Sequence, residues 1–109
     1  MSDRIPKINT LVKQYIGEII LRDLSLKPGV FVTVSKVDTS PDLRYTRVFV
    51  SIFPEKETDY AEKTLIKEVY HIQGKFNQKM TTKPIPKIEF KIDTTEIRAS
   101  EIEELLKKI

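Results

Sequence analysis

The chain has no cysteine, no tryptophan, three glycines and a single histidine among its 109 residues. Without cysteine there is no disulfide framework, no thiolate metal site and no thiol nucleophile. Three glycines cannot build a phosphate-cradling loop, and neither a Walker sequence nor a dinucleotide-binding glycine pattern is present. His71 has no second histidine with which to share a metal, and the sixteen carboxylates show no recognisable acid/base or metal spacing. No apolar run approaches the roughly 18 residues of a membrane span, and the N-terminus lacks a signal-peptide profile. Catalysis, a cofactor, a small-molecule substrate and a membrane are therefore not expected. A cytoplasmic location is.

What is present fits one soluble domain spanning residues 1–109. Hydrophobic residues make up 39% of the chain and charged residues 32%, ordinary proportions for a globular protein that builds its core without staples. The net charge is only +3, but it is unevenly spread. Between Lys63 and Lys91 seven lysines face two glutamates, a local balance of +5. Acidic margins flank this block: Glu55, Glu57, Asp59 and Glu62 before it, and Asp93, Glu96, Glu101, Glu103 and Glu104 after it. A basic block between acidic margins is a phosphate-facing footprint or a lysine-rich solvated surface; charge alone does not separate the two.

Apolar residues recur at helical spacing over residues 5–22, through Ile5, Ile8, Val12, Tyr15, Ile16 and Ile19, with Pro6 in a first turn that tolerates a missing N–H. Lys27-Pro28-Gly29 suits a turn. Phe31–Asp38 and Tyr45–Phe53 read as strands, the second with Val48, Val50 and Ile52 opposite Arg47, Phe49 and Ser51. The connection between them, Thr39-Ser40-Pro41-Asp42-Leu43-Arg44, has no glycine. Proline presets one φ there, and Ser40 or Asp42 can bond nearby backbone N–H groups. A third strand follows Pro86, where Ile88, Phe90 and Ile92 alternate with Lys87, Glu89 and Lys91. Such alternation means one buried and one wet face, as in a sheet covered by helices on a single side.

Between strands two and three, Thr58–Met80 is helical, with Ala61, Leu65, Val69, Ile72, Phe76 and Met80 on one arc. Gly74 lies on the opposite side with Lys63, Lys67, Tyr70 and Gln78. It either breaks the stretch into two helices, the preferred reading, or leaves backbone open on a lysine-lined face. Ser100 and Glu103 form a capping box for a short C-terminal helix. The order is α–β–β–α–(kink)–α–β plus that last helix, an α+β domain with a three-stranded sheet covered on one face.

This arrangement favours RNA over chemistry. Cations placed to meet phosphates suffice for folded RNA, with shape doing the reading. The candidates are Lys63, Lys67, Gly74, Lys75, Lys79 and Lys83 around the long helix, Arg4, Lys7 and Lys13 on the first helix, and Arg44 past the turn. Stacking of single strands would use Tyr70, Phe49 or Phe53.

The segment from Phe31 to Phe53, "FVTVSKVDTSPDLRYTRVFVSIF", resembles the central hairpin of the ribosome-binding factor A family, with Val37, Ser40, Pro41, Asp42 and Leu43 in the order of its signature. "IPKIEFKID" is similar to the family's third strand, through Pro86, Phe90 and Asp93. "RIPKINTLVKQYIGEII" and "EIRASEIEELL" are similar to its first and last helices. The resemblance implies a KH-like fold of type II, no enzymatic activity, and binding to the immature small (30S) ribosomal subunit with help in 5′-end maturation of its 16S rRNA. The implied partners are that rRNA and neighbouring ribosomal proteins, and a monomer is expected. The family's Ala-x-Gly kink, counted back from Pro86, falls on Glu68-Val69-Tyr70 and does not match, which leaves Gly74 or an unmarked position for the kink. The chain also stops soon after the last helix, without the longer tail of many members. Two other functions remain in view: a general KH-type binder of single-stranded RNA, and a protein-binding module using the outer sheet face.

Overall fold

The computed structural model describes residues 4–81 and 83–94, with Arg4 described by its backbone only. Two helices and three strands follow in the order α1 (Arg4–Asp23), β1 (Phe31–Thr39), β2 (Tyr45–Phe53), α2 (Thr58–Lys79) and β3 (Lys87–Ile92), with a 3-10 turn at Glu55–Glu57 leading into α2. The sheet order is β1-β2-β3. β1 and β2 pair antiparallel as a hairpin, whereas β3 pairs parallel to β2, so α2 serves as the crossover that a parallel pair requires.

The apolar stripe of α1 becomes the buried set Ile8, Val12, Ile16, Ile19 and Ile20, and that of α2 the set Ala61, Leu65, Ile72 and Phe76. Both lie against the inward residues of the sheet, Val34, Val48, Val50 and Ile88, in one continuous core. The opposite face of the sheet carries no helix among the described residues. Phe31, Thr33, Lys36 and Asp38 from β1, Tyr45 to Phe53 at alternate positions from β2, and Lys87, Glu89 and Lys91 from β3 share it. The α+β class, the strand bounds within a residue and the one-sided covering all agree with the sequence reading. The helix expected from Ser100 onward lies outside the described residues.

The expected break in the long helix does not occur. α2 runs without interruption from Thr58 to Lys79, through Gly74 and through 68–70 alike. One glycine inside a helix costs on the order of 1 kcal/mol relative to alanine. Leu65 and Ile72 before it, and Phe76 and Met80 after it, are buried in the same core, which holds both halves on one axis. The glycine does point outward as the helical geometry required: a methyl group built at Gly74 would meet nothing within 4 Å.

Local chemistry sets the ends of the elements. Between α1 and β1 the Val30 N–H donates to the Lys27 carbonyl at 3.2 Å, and Gly29 takes φ 85° behind Pro28, the turn that this triplet predicts. β1 carries a bulge between Val34 and Lys36. There the Ser35 hydroxyl lies 2.6 Å from a carboxylate oxygen of Asp93, just past the end of β3, and donates to it. Where β1 and β2 leave the hairpin loop, buried Thr39 and Thr46 face each other with their hydroxyls 3.0 Å apart. Thr39 donates to Oδ1 of Asn9 on α1 at 2.6 Å, so Thr46 is the donor to Thr39 and the row is fully used. Finally, the side-chain amide of Gln73 on α2 meets the backbone at the start of β3. Its Nε2 donates to the Pro86 carbonyl at 3.2 Å and its Oε1 accepts from the Ile88 N–H at 2.8 Å.

Candidate nucleic-acid interface

Continuity of α2 turns its outward side into a single straight stripe. Steps of three and four residues place Lys63, Lys67, Tyr70, Gly74 and Gln78 in a row, with His71 and Lys75 beside it. At 1.5 Å per residue the row from Lys63 to Gln78 is about 22 Å long. Lys63, Lys67 and Lys75 are exposed and enter no ion pair among the described residues. Gly74 opens a shallow notch in this row, walled by Tyr70, His71, Lys75 and Gln78. Tyr70 is 90% exposed. The arrangement offers a phosphate three unpaired ammonium groups and a place where it can approach the helix backbone without meeting a side chain.

The other sequence candidates are distributed around this row. Lys79 is turned toward α1: its Nζ lies 3.3 Å from Glu18 Oε2 and 5.6 Å from the Tyr15 ring centroid. That hydrogen bond, with one from Gln14, holds the Glu18 carboxyl below its ordinary value. Lys79 therefore joins the two helices, and the charge it would offer a phosphate is already shared. Lys83 is exposed in the connection from α2 to β3, and Lys7 is exposed on α1. Lys13 lies elsewhere, at the rim of a groove between α1 and β1 that is lined by Thr10, Gly17, Leu21 and Val32. Arg4 has a described backbone within α1 and no described side chain.

Arg44 lies at the hairpin loop, next to the start of β3, where its carbonyl accepts from the Lys87 N–H at 2.8 Å. The loop that presents it is built as the sequence proposed and then further. The Ser40 hydroxyl donates to Asp42 Oδ1 at 2.6 Å and accepts from the Tyr45 N–H at 3.1 Å, while Asp42 Oδ1 also accepts from the Arg44 N–H at 3.1 Å. The Ser40 hydrogen bond, followed by that from Arg44, lowers the Asp42 pKa. The Arg44 side chain is 77% exposed and Asp42 stands 3.8 Å from its Nε, so the guanidinium is free to meet a further anion.

The sequence places Phe49, Phe53, Arg47, Lys87 and Lys91 on the outer sheet face but does not single out Phe31, Lys36 and Tyr45, which join them there. Phe31 and Tyr45 are exposed on that face, as are Lys36, Arg47, Lys87 and Lys91. The signal was the strict alternation of β2 and β3, which assigns every second residue to the wet side.

A three-stranded mixed sheet with two helices on one face, in the order α–β–β–α–β, defines a KH-like α+β domain. The family described as Ribosome-binding factor A matches residues 4–106. Ribosome-binding factor A of Protochlamydia amoebophila is 36% identical over 109 residues, covering 97% of this chain and 82% of that protein. The crystal structure of ribosome-binding factor A from Thermus thermophilus superposes with a TM-score of 0.67 at 22% identity, covering 80% of this chain and 92% of that one. A homology model of the Thermus thermophilus factor, fitted into the cryo-EM map of a 30S–RbfA complex, gives a TM-score of 0.65 at 23% identity over 78% of this chain and 90% of that one. The chain belongs to the ribosome-binding factor A family.

Proposed function

We propose that this protein is a ribosome biogenesis factor that binds the immature small (30S) subunit in the cytoplasm and assists maturation of the 5′ end of its 16S rRNA. Family membership across residues 4–106 carries the reading. A homologue placed in a 30S complex supports the partner. The family is named for binding, not for a reaction, and the action proposed is positional: cations hold an rRNA segment in an immature arrangement until release. Among the described residues no helix is long and apolar enough to cross a membrane.

In this reading the contact lies on the helix row. Lys63, Lys67 and Lys75 neutralise phosphates, Gly74 admits one close to the backbone, and Lys83, Lys7 and Arg44 extend the charge beyond the row. Co-sedimentation tests this. The protein is expected to travel with free small subunits and not with full ribosomes, and its association should fall steeply between low and physiological salt. Association that is insensitive to salt, or equal for both particles, overturns the reading. Replacing Lys63 and Lys67 with glutamine should weaken subunit association about 10-fold at physiological salt while leaving the melting temperature unchanged, since neither lysine is paired.

A further inference from the structure

The outer face of the sheet has a composition that neither the core nor the helix row explains. Along β2 it presents Tyr45, Arg47, Phe49, Ser51 and Phe53, at intervals of about 6.6 Å. Phe53 is 68% exposed, and directly opposite it on β1 stands Phe31, 62% exposed. Tyr45 is 47% exposed beside Lys87 of β3. In the middle, the Lys36 ammonium sits 4.5 Å from the Phe49 ring centroid and covers that ring. Three rings with open faces therefore remain, two at one end of the face and one at the other. Arg47 and Lys91 flank the central ring from β2 and β3, and neither they nor Lys87 enter an ion pair among the described residues. Lys36, Arg47, Lys87 and Lys91 outnumber the two acids on the face, Asp38 and Glu89.

We propose that this face is a second nucleic-acid surface, one that stacks bases of a single-stranded RNA segment on Phe31, Phe53 and Tyr45 while Arg47, Lys87 and Lys91 meet its phosphates. The interleaving selects the occupant. A protein partner needs a contiguous apolar centre from which charge is depleted, with charges at the rim. Here Phe31 and Phe53 stand at one end and Tyr45, with Lys87 beside it, at the other, while Arg47 and Lys91 lie between, an interleaving of rings and cations that suits the bases and phosphates of a strand laid along β2. Stacking tolerates any base, so the surface sets strandedness rather than sequence. The helix row needs only phosphates and accepts folded RNA, and the two surfaces carry separate requirements. The proposal goes beyond the subunit-binding reading and stands or falls apart from it.

The test uses the full chain and an oligouridylate of about 12 nucleotides, which has no duplex for the helix row to read. Binding is expected at low salt, with amide shifts concentrated on β1, β2 and β3. The Phe31→Ala/Phe53→Ala variant should bind the oligomer roughly 10-fold or more weakly, with its binding of an RNA hairpin unchanged. The Arg47→Gln/Lys91→Gln variant, which removes no buried group, should reduce the salt dependence of oligomer binding by about two ions' worth. Absence of binding by the unmodified chain, shifts confined to α2, or equal affinity in the phenylalanine variant overturns the proposal. If that variant keeps its oligouridylate affinity but loses small-subunit association, the face meets protein and the RNA assignment falls. Failure of the helix-row reading would show differently, as unimpaired subunit association of the Lys63→Gln/Lys67→Gln variant.

Discussion

Leu43 holds φ 61°, a left-handed conformation that costs an L-residue about 1–2 kcal/mol, yet its side chain is only 6% exposed and belongs to the core. The two facts are one compromise. The loop must turn left at this point to bring the chain into β2, and the leucine is retained because it fills core space. Leu43→Gly should remove the strain and lose the burial. Because the lost burial is worth about 2–5 kcal/mol, the net effect expected is a destabilisation of about 1–3 kcal/mol by urea unfolding, with Leu43→Ala worse than glycine. Asp42, the preceding residue in the same turn, adds a pH dependence. Its folded-state pKa is depressed below the ordinary 3.8, so its contribution is complete above that value and disappears as pH falls through the lowered one. The amides of Arg44 and Tyr45 should therefore shift together in NMR spectra only below about pH 3.8, and Asp42→Asn should abolish that transition. The roles of Ser40 and Asp42 were legible in the sequence because turn chemistry is local. Leu43 as a core residue was not, because no strand or helix period extends into a loop to mark which side chain faces in.

At the scale of the element, α2 shows what periodicity can and cannot tell. The buried arc through Ala61, Leu65, Ile72 and Phe76 was readable from spacing alone, and so was the outward direction of Gly74. Its unbroken course was not, since a single glycine's small penalty competes with tertiary burial that the sequence does not display. Gly74→Ala should accordingly stabilise the protein by about 0.5–1 kcal/mol, a rise in melting temperature measurable by circular dichroism. Gly74→Glu should keep the helix yet weaken small-subunit association, because it fills the notch with a charge of the wrong sign. In β1 the bulge at Ser35 was equally hidden. Nothing in "VTVSKV" marks the slip. It becomes intelligible only once Asp93, far along the chain, is seen to take the serine's hydrogen bond.

For the whole molecule, the legible part was the order of elements and the one-sided sheet. The illegible part was which cations come together. Seven lysines between Lys63 and Lys91 looked like one block. Folding divides them: Lys63, Lys67 and Lys75 stay on the outer helix, Lys79 is drawn onto α1, and Lys87 and Lys91 pass to the far side of the sheet. Two faces of opposite outlook result from one run of charge. The geometry at the start of β3 has a consequence of another kind. A sheet is a template that can recruit a further strand wherever its rim is bare, and a chain with two bare rims can polymerise. By placing its carboxamide against Pro86 and Ile88, Gln73 imitates the backbone of a neighbouring strand and occupies that seat in advance. Gln73→Leu should vacate it, and light scattering at rising concentration should then report more self-association for the variant than for the unmodified chain. One amide side chain brings the row of strands to an end.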